Sequence, residues 1–560
     1  MRVSRVWLVG LGVVAFLVMG AGSALAAGDS LVTVGSPVAP FPQSKQNEPA
    51  VTVDPINPRV AVAGANEELD NAPCSGSDCS FTPGIGDSGV YFSFDGGGTW
   101  SQPTYRGLSA RSGTPVPNGP IGTVPNYFEQ GLVSDGDPTL AFGPRADSHG
   151  HFSWSNGARL YYGGLTSNLN AKRNETFRGA EAVAVSYTDD PAGAAAGVNS
   201  AWSSPIVVTK QNSALFSDKP NIWADNAVSS PFFGNLYECN IAFRSNHGTA
   251  EPVVFSRSTD AGQTFSKSAQ LTAAAGNAQQ IGRQGCVIRT DSHGTVYVFF
   301  EGAVKKQSAQ EMTRSFDGGK TFERPRAVAS VVDVGVFDPV QADVVFDGVT
   351  GARTDSFPSV DIANGAPTGT GATNAIAMTW SDARAGLNHE QALVQLSGDG
   401  GSSWTTPVNA AQAGDRPDFP AIALSPSGSD AYLVYDGFTT PFQTTNGNPR
   451  LFAGVVRHAP LAGSQLGAFT TLHRGASGDA RASSANDLTS GFLGDYNYAA
   501  ATTSSVTAVW NDARRAADCP AIDAFRDSEL TPSPLSKPAP LTDCPATFGN
   551  TDIFGGNYTG

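Results

Sequence analysis

Four segments of the chain share the pattern S-x-D-x-G-x-[ST]-[WF], and this recurrence limits the possible folds more than any other feature. They run Ser93-Phe-Asp95-Gly-Gly97-Gly-Thr99-Trp100, Ser258-Thr-Asp260-Ala-Gly262-Gln-Thr264-Phe265, Ser315-Phe-Asp317-Gly-Gly319-Lys-Thr321-Phe322 and Ser397-Gly-Asp399-Gly-Gly401-Ser-Ser403-Trp404. Each part suits a tight hairpin. The Asp and Ser/Thr side chains bond amides within the turn, Gly supplies a positive φ, and the closing aromatic packs between strands.

A second unit, a short strand followed by a longer apolar strand, precedes these turns. It is clear at Pro49-Ala-Val-Thr-Val-Asp54 before Arg59-Val-Ala-Val-Ala-Gly64, and at Phe357-Pro-Ser-Val-Asp361 before Ala375-Ile-Ala-Met-Thr-Trp380. Further copies begin at Asp137, Lys219, Gly285, Phe419 and Gly494. Copy two carries a decayed box near Tyr187-Thr-Asp189-Asp190 with Trp202 downstream, and the last two copies have lost theirs. Four strands per copy make one blade, and blades arranged radially bury a core that none could bury alone. The expectation is an all-β propeller of seven four-stranded blades, or six if a terminal copy is incomplete. An N-terminal strand near Leu31-Val-Thr-Val34 would close the last blade. No helical periodicity stands out beyond the first residues, and 109–126 and 531–540 read as polar Gly/Pro-rich loops.

Arg2 and Arg5, an apolar run over 6–20 and Ser23-Ala-Leu-Ala-Ala27 read as an export signal over 1–26, leaving 27–560 as one domain. The run is too short to span a membrane, so a secreted, extracellular protein is expected. The net charge is −15, and it becomes about −17 without the leader. Such a field disfavours nucleic acid as a partner and opposes anionic ligands at long range. Six cysteines in an exported chain suggest disulfides. Proximity pairs Cys74 with Cys79, and neighbouring strands or a pinned loop suggest Cys239 with Cys286 and Cys519 with Cys544. No CxxC pair supports zinc and no EF-hand spacing supports calcium, so no metal or cofactor is assigned. Asn174-Glu-Thr176 is an isolated sequon, and the seven histidines form no ligand or triad pattern.

The four boxes look like the bacterial neuraminidase (BNR) repeat, and through them the chain resembles the sialidase superfamily over nearly all of its mature length. That resemblance implies a sialidase-like propeller with the boxes on the face away from the active site. It also implies three arginines for a substrate carboxylate, a Tyr nucleophile paired with a Glu, and an Asp acid/base. The family's usual Arg-Ile-Pro does not occur in this sequence.

In such blades, the loops entering strand one and leaving strand two share the face opposite the boxes. Entering strand one are Glu48, Asp137, Asp218, Asp355, Asp418 and Asp495; leaving strand two are Glu67, Arg244, Glu301, Asp382 with Arg384, Asp436, and Asp512 with Arg514. The exits Trp380-Ser-Asp-Ala-Arg384 and Trp510-Asn-Asp-Ala-Arg514 are near-copies. They offer guanidinium groups suited to a carboxylate, or pairs that lock their own loops. Tyr496 is the candidate nucleophile, Glu301 its base and Asp137 the acid; Arg244, Arg384, Arg514, Asp382 and Asp512 are candidates for substrate binding. The expectation is an exo-acting, sialidase-like glycoside hydrolase working as a monomer on glycans with sialic-acid-type substrates. The alternative is a non-catalytic propeller that binds glycans or proteins.

Overall fold

The computed structural model describes residues 28–169, 175–209, 216–243, 251–273 and 283–560. Strand makes up 43% of the chain and helix 6%, in a seven-bladed β-propeller. The innermost strands of the blades are, in order, Gln46–Val53, Thr139–Ala146, Phe216–Ala224, Gln284–Thr290, Ser359–Ile362, Arg416–Leu424 and Tyr498–Ala501. Each pairs antiparallel with the next strand of its blade. The last blade ends with Asp552–Thr559, whose outer edge takes the N-terminal strand Ser30–Leu31 in the register Ser30↔Gly555. That join closes the ring, and it falls where the sequence placed the closing strand.

Because each sheet is apolar on both faces, the core is divided among the interfaces between blades. Blades one and two bury Phe92 and Tyr162 together. Blades four and five bury Phe299 and Trp380, and blades seven and one bury Val509 and Tyr91.

The S-x-D turns join strands three and four on one face. In the first, Ser93 Oγ bonds Asp95 at 2.8 Å, and Asp95 accepts from the Thr99 amide at 2.9 Å and its hydroxyl at 2.7 Å. The other three repeat this pattern. The glycine after the Asp and its neighbour does more than turn the chain. Gly319 sits at φ 78°, and a Cβ there would lie 2.7 Å from the Phe255 ring of the preceding blade. The residue after each Asp also presents its carbonyl to the preceding blade. Arg159 donates to Ala261 at 2.8 Å, Arg257 to Gly318 at 3.2 Å, and Arg314 to Gly400 at 2.7 Å. Around the closure, Thr507 donates to Gly96 at 2.9 Å.

The disulfides are Cys74–Cys79, Cys239–Cys286 and Cys519–Cys544, the pairs expected. The second joins blade three to blade four.

The expectations of a loop over 109–126 and of no helix beyond the first residues differ from the structure, whereas 531–539 is irregular as expected. Segment 109–126 contains the strand Val116–Ile121, paired with Tyr105–Ser109. A helix, Pro520–Glu529, lies in the insertion tied by Cys519–Cys544. Its buried side chains include the charged Asp523 and Arg526, so no apolar stripe announces it. Among the described residues no helix is long and apolar enough to cross a membrane, and the expected leader lies outside them.

Candidate functional site

Four innermost strands begin with a strained residue before proline. Glu48 precedes Pro49 at φ 56°, Asp137 precedes Pro138 at 48°, Lys219 precedes Pro220 at 47° and Phe419 precedes Pro420 at 49°. Register shifts mark bulges at three of these positions, between Asn47 and Ala50, Asp218 and Asn221, and Asp418 and Ala421. Positive φ before proline is costly for a residue with a side chain, and the bulges turn those side chains toward the central axis.

The resulting mouth is a charged cluster. Asp495 accepts from Lys219 Nζ at 2.7 Å and from Arg353 Nε at 2.8 Å, and Arg353 also lies 3.9 Å from Glu48. Burial opposes charge on Asp495, but Arg353 and Lys219 outweigh it and hold the carboxyl well below the usual range. Glu48 and Asp137 are in carboxyl–carboxyl contact, and Asn66 ties them together by donating to Glu48 at 2.6 Å and accepting from the Asp137 amide at 2.8 Å. Burial pushes Asp137 up to about 6. Glu48 is driven well above its ordinary value by burial and then by Asp137 and Asp495. Tyr496 lines the mouth; burial, then Asp137 and Glu48, raise its phenol well above the usual range. Arg289 crosses the shaft below, stacked 4.5 Å over Trp223 and paired with Asp361 at 3.2 Å, and separates the mouth from the opposite face.

Asp355 lines both this mouth and a cleft of about 460 Å³ beside blade four, a volume in the range that holds small ligands. Glu301 lines the cleft in contact with Asp355 and Asp333. Burial, followed by those two carboxylates, raises Glu301 well above its ordinary value, and burial raises Asp355 to about 6.

Tyr496 and Asp137 therefore come together. Glu301 stands one step away through Asp355, and the charges that act most on Tyr496 are Asp137, Glu48, Asp495 and Asp218. Arg384 is held by Asp382 at 2.7 Å and by the Ser330 carbonyl, while Arg514 is held by Asp512 and Asp29, each at 2.7 Å. Trp380 and Trp510 donate to the same aspartates at 2.9 and 3.2 Å. Each Trp-x-Asp-Ala-Arg unit is thus a clamp closed on its own Asp, and neither guanidinium lines the mouth or the cleft. Arg244 lies outside the described residues. Sequence reading missed Arg353 and Lys219. The first sits in the inserted stretch 331–358, 142 residues from its partner Asp495. The second was visible as the residue before Pro220, one place after the Asp218 that was read in its stead.

Seven blades, box turns on one face and a carboxyl-rich mouth on the other complete the architecture. The fold is a seven-bladed β-propeller. No family model and no curated protein matches the sequence. Among solved structures, the chain is similar to a Hadza microbial sialidase at 13% identity and TM-score 0.38, with 70% of this chain and 63% of that one covered. It is also similar to the Trypanosoma rangeli sialidase in complex with the inhibitor DANA, at 12% and 0.39 over 71% and 53%. The GH93 α-L-arabinofuranosidase of Fusarium graminearum in complex with arabinobiose is similar at 15% and 0.32, over 49% and 71%. The match spans less than two thirds of either sialidase.

Proposed function

We propose that this sialidase-like propeller is an extracellular glycoside hydrolase whose chemistry occurs at the central mouth. One observation carries the reading. Two neighbouring carboxyls are pushed apart in proton affinity, Asp137 upward to about 6 by burial and Asp495 downward by Arg353 and Lys219. Such a split separates an acid from an ionised partner. Asp137 gives its proton to the departing glycosidic oxygen, and Asp495 stabilises the positive charge that develops on the sugar. Tyr496 lines the same mouth. Asp137, Glu48 and Asp495 are the charges that act most strongly on its phenol. Three disulfides support an extracellular setting.

The finer form of this reading, an exo-sialidase, needs arginines free to take a carboxylate. Arg353, Arg384 and Arg514 already hold acidic partners, so neutral or basic sugars fit the mouth better than anionic ones. The test is hydrolysis of a fluorogenic panel containing a sialoside and neutral hexosides. We expect release from a non-anionic member, a fall in kcat/KM as pH rises through about 6, and at least a hundredfold loss of kcat in Asp137→Asn. A correctly folded protein that turns over nothing in the panel would instead support the non-catalytic glycan-binding alternative.

A further inference from the structure

Each blade enters the mouth through one equivalent position, two residues before the unbroken pairing of its innermost strand begins. Blades one to three place Glu48, Asp137 and Lys219 there, blade four places Gly285, and blades five to seven place Phe357, Phe419 and Tyr496. The equivalence extends to backbone geometry, since Glu48, Asp137, Lys219, Gly285 and Phe419 all have φ between 47° and 56°. The collar around the axis is therefore charged along one arc and aromatic along the other.

The aromatic arc faces the cavity: Phe357, Phe419 and Tyr496 all line it, backed by the prolines that follow the first two. Gly285 widens that arc. A Cβ there would lie 2.4 Å from the Phe357 ring, so only a glycine in blade four lets the ring spread toward it. Lys219, from the charged arc, stands 5.8 Å from the centre of the same ring and reaches Asp495 at 2.7 Å. Arg353 bonds Asp495 as well. These polar groups are thus paired with one another, which leaves them able to bond hydroxyls and without a strong pull on an ion. The cavity volume is about 70 Å³, room for roughly five to seven waters, which is the space that one small ring displaces.

We propose that the collar binds one neutral hexopyranose with equatorial hydroxyls, its C–H face stacked on Phe357 and Phe419 and its hydroxyl edge on Lys219 and Asp495. Aromatic faces carry negative charge and attract the polarised C–H bonds of such a sugar face, whereas an axial hydroxyl on that face would hold the ring off. A cationic sugar meets Lys219 and an anionic one meets Asp495, so charge of either sign is disfavoured. The proposal names the substrate class of the glycosidase reading, on which it rests.

Saturation-transfer NMR and calorimetry on the mature chain test it, with methyl 1-thio-β-D-glucopyranoside as the probe because its sulfur linkage resists hydrolysis. We expect saturable binding, with transfer strongest to the axial protons of one ring face. Phe357→Leu should weaken binding about threefold to tenfold, the range of one aromatic contact, while Phe357→Tyr, which keeps the ring, retains it; circular dichroism checks that both variants are folded. The 2-amino-2-deoxy analogue should bind more weakly than the parent sugar. No binding of the thioglucoside, equal transfer to all its protons, tighter binding of the amino analogue or indifference to Phe357→Leu overturns the proposal. Cyclohexylmethanol binding as tightly as the sugar overturns the role of the hydroxyl edge. Binding that depends on Phe357 without turnover of any glycoside keeps the collar and defeats the hydrolase; turnover without such binding does the reverse.

Discussion

Glu238 is fully buried in the second strand of blade three, with the Ser256 hydroxyl as its polar neighbour. Burial pushes its carboxyl up to about 8, with the Ser256 hydroxyl only partly opposing the shift. A raised carboxyl keeps its proton in the folded chain where the unfolded chain has lost it, so stability declines as pH rises from the ordinary glutamate value toward 8. Glu238→Gln should therefore raise Tm at pH 8 and leave it nearly unchanged at pH 4.5, measured by calorimetry at both values. An equal shift at the two pH values would show that the proton is not what matters. Backbone geometry is equally local at Gly319. Its φ of 78° and the 2.7 Å approach to Phe255 leave no room for a methyl, so Gly319→Ala should cost about 1–3 kcal/mol in denaturant unfolding. The sequence pattern revealed the need for glycine in the turn; the approach of Phe255 became visible only with the blades assembled.

At the scale of the element, the S-x-D turn is both a hairpin and a latch. Its side-chain bonds are local and follow from the motif, which is why four copies could be read directly. The carbonyl it offers to the preceding blade depends on an arginine far away in sequence, and no spacing rule points to it. Arg314 donates to Gly400 at 2.7 Å and to Glu323 at 2.9 Å. Arg314→Ala should lower stability by about 1–2 kcal/mol, while Arg314→Lys recovers only part because a lysine lacks the forked geometry. The mouth was legible for a comparable reason: an acidic residue recurs at the entrance to the first strand of one copy after another, so Glu48, Asp137, Asp355 and Asp495 could be placed on one rim. Helix Pro520–Glu529 was not legible. Arg526 is buried and spends its guanidinium on the carbonyls of Arg481, Ser483 and Ser490 at 2.6 to 3.1 Å, so what anchors the helix is polar. Those carbonyls belong to the loop that leads into Asp495 and Tyr496, which makes the insertion a brace for the mouth.

For the whole molecule, the ring closes between its two ends. Val32 donates its amide to Ile553 at 2.8 Å, Thr33 bonds Asp552 at 3.2 Å, and Asp29 holds Arg514 at 2.7 Å. Deleting residues 28–34 should cost on the order of 2–4 kcal/mol from lost ladder bonds and the exposure of Val32, seen as a lower Tm; an unchanged Tm would mean the ring holds without its closing strand. The repeats by themselves determined the all-β propeller class and favoured seven blades over six and the closing strand, while the cysteine positions favoured three disulfide pairs; the structure then fixed the blade count and the pairs. Each of these expectations follows from a local turn, a strand period or a short separation repeated along the chain. Tertiary structure decided which charges meet. It turned the Trp-x-Asp-Ala-Arg pairs into closed clamps, brought Arg353 from an inserted loop onto Asp495, and moved Glu301 from beside Tyr496 to the adjoining cleft. Side-chain partners across blades are set by radial packing, and their distances in space bear no relation to their spacing in the sequence.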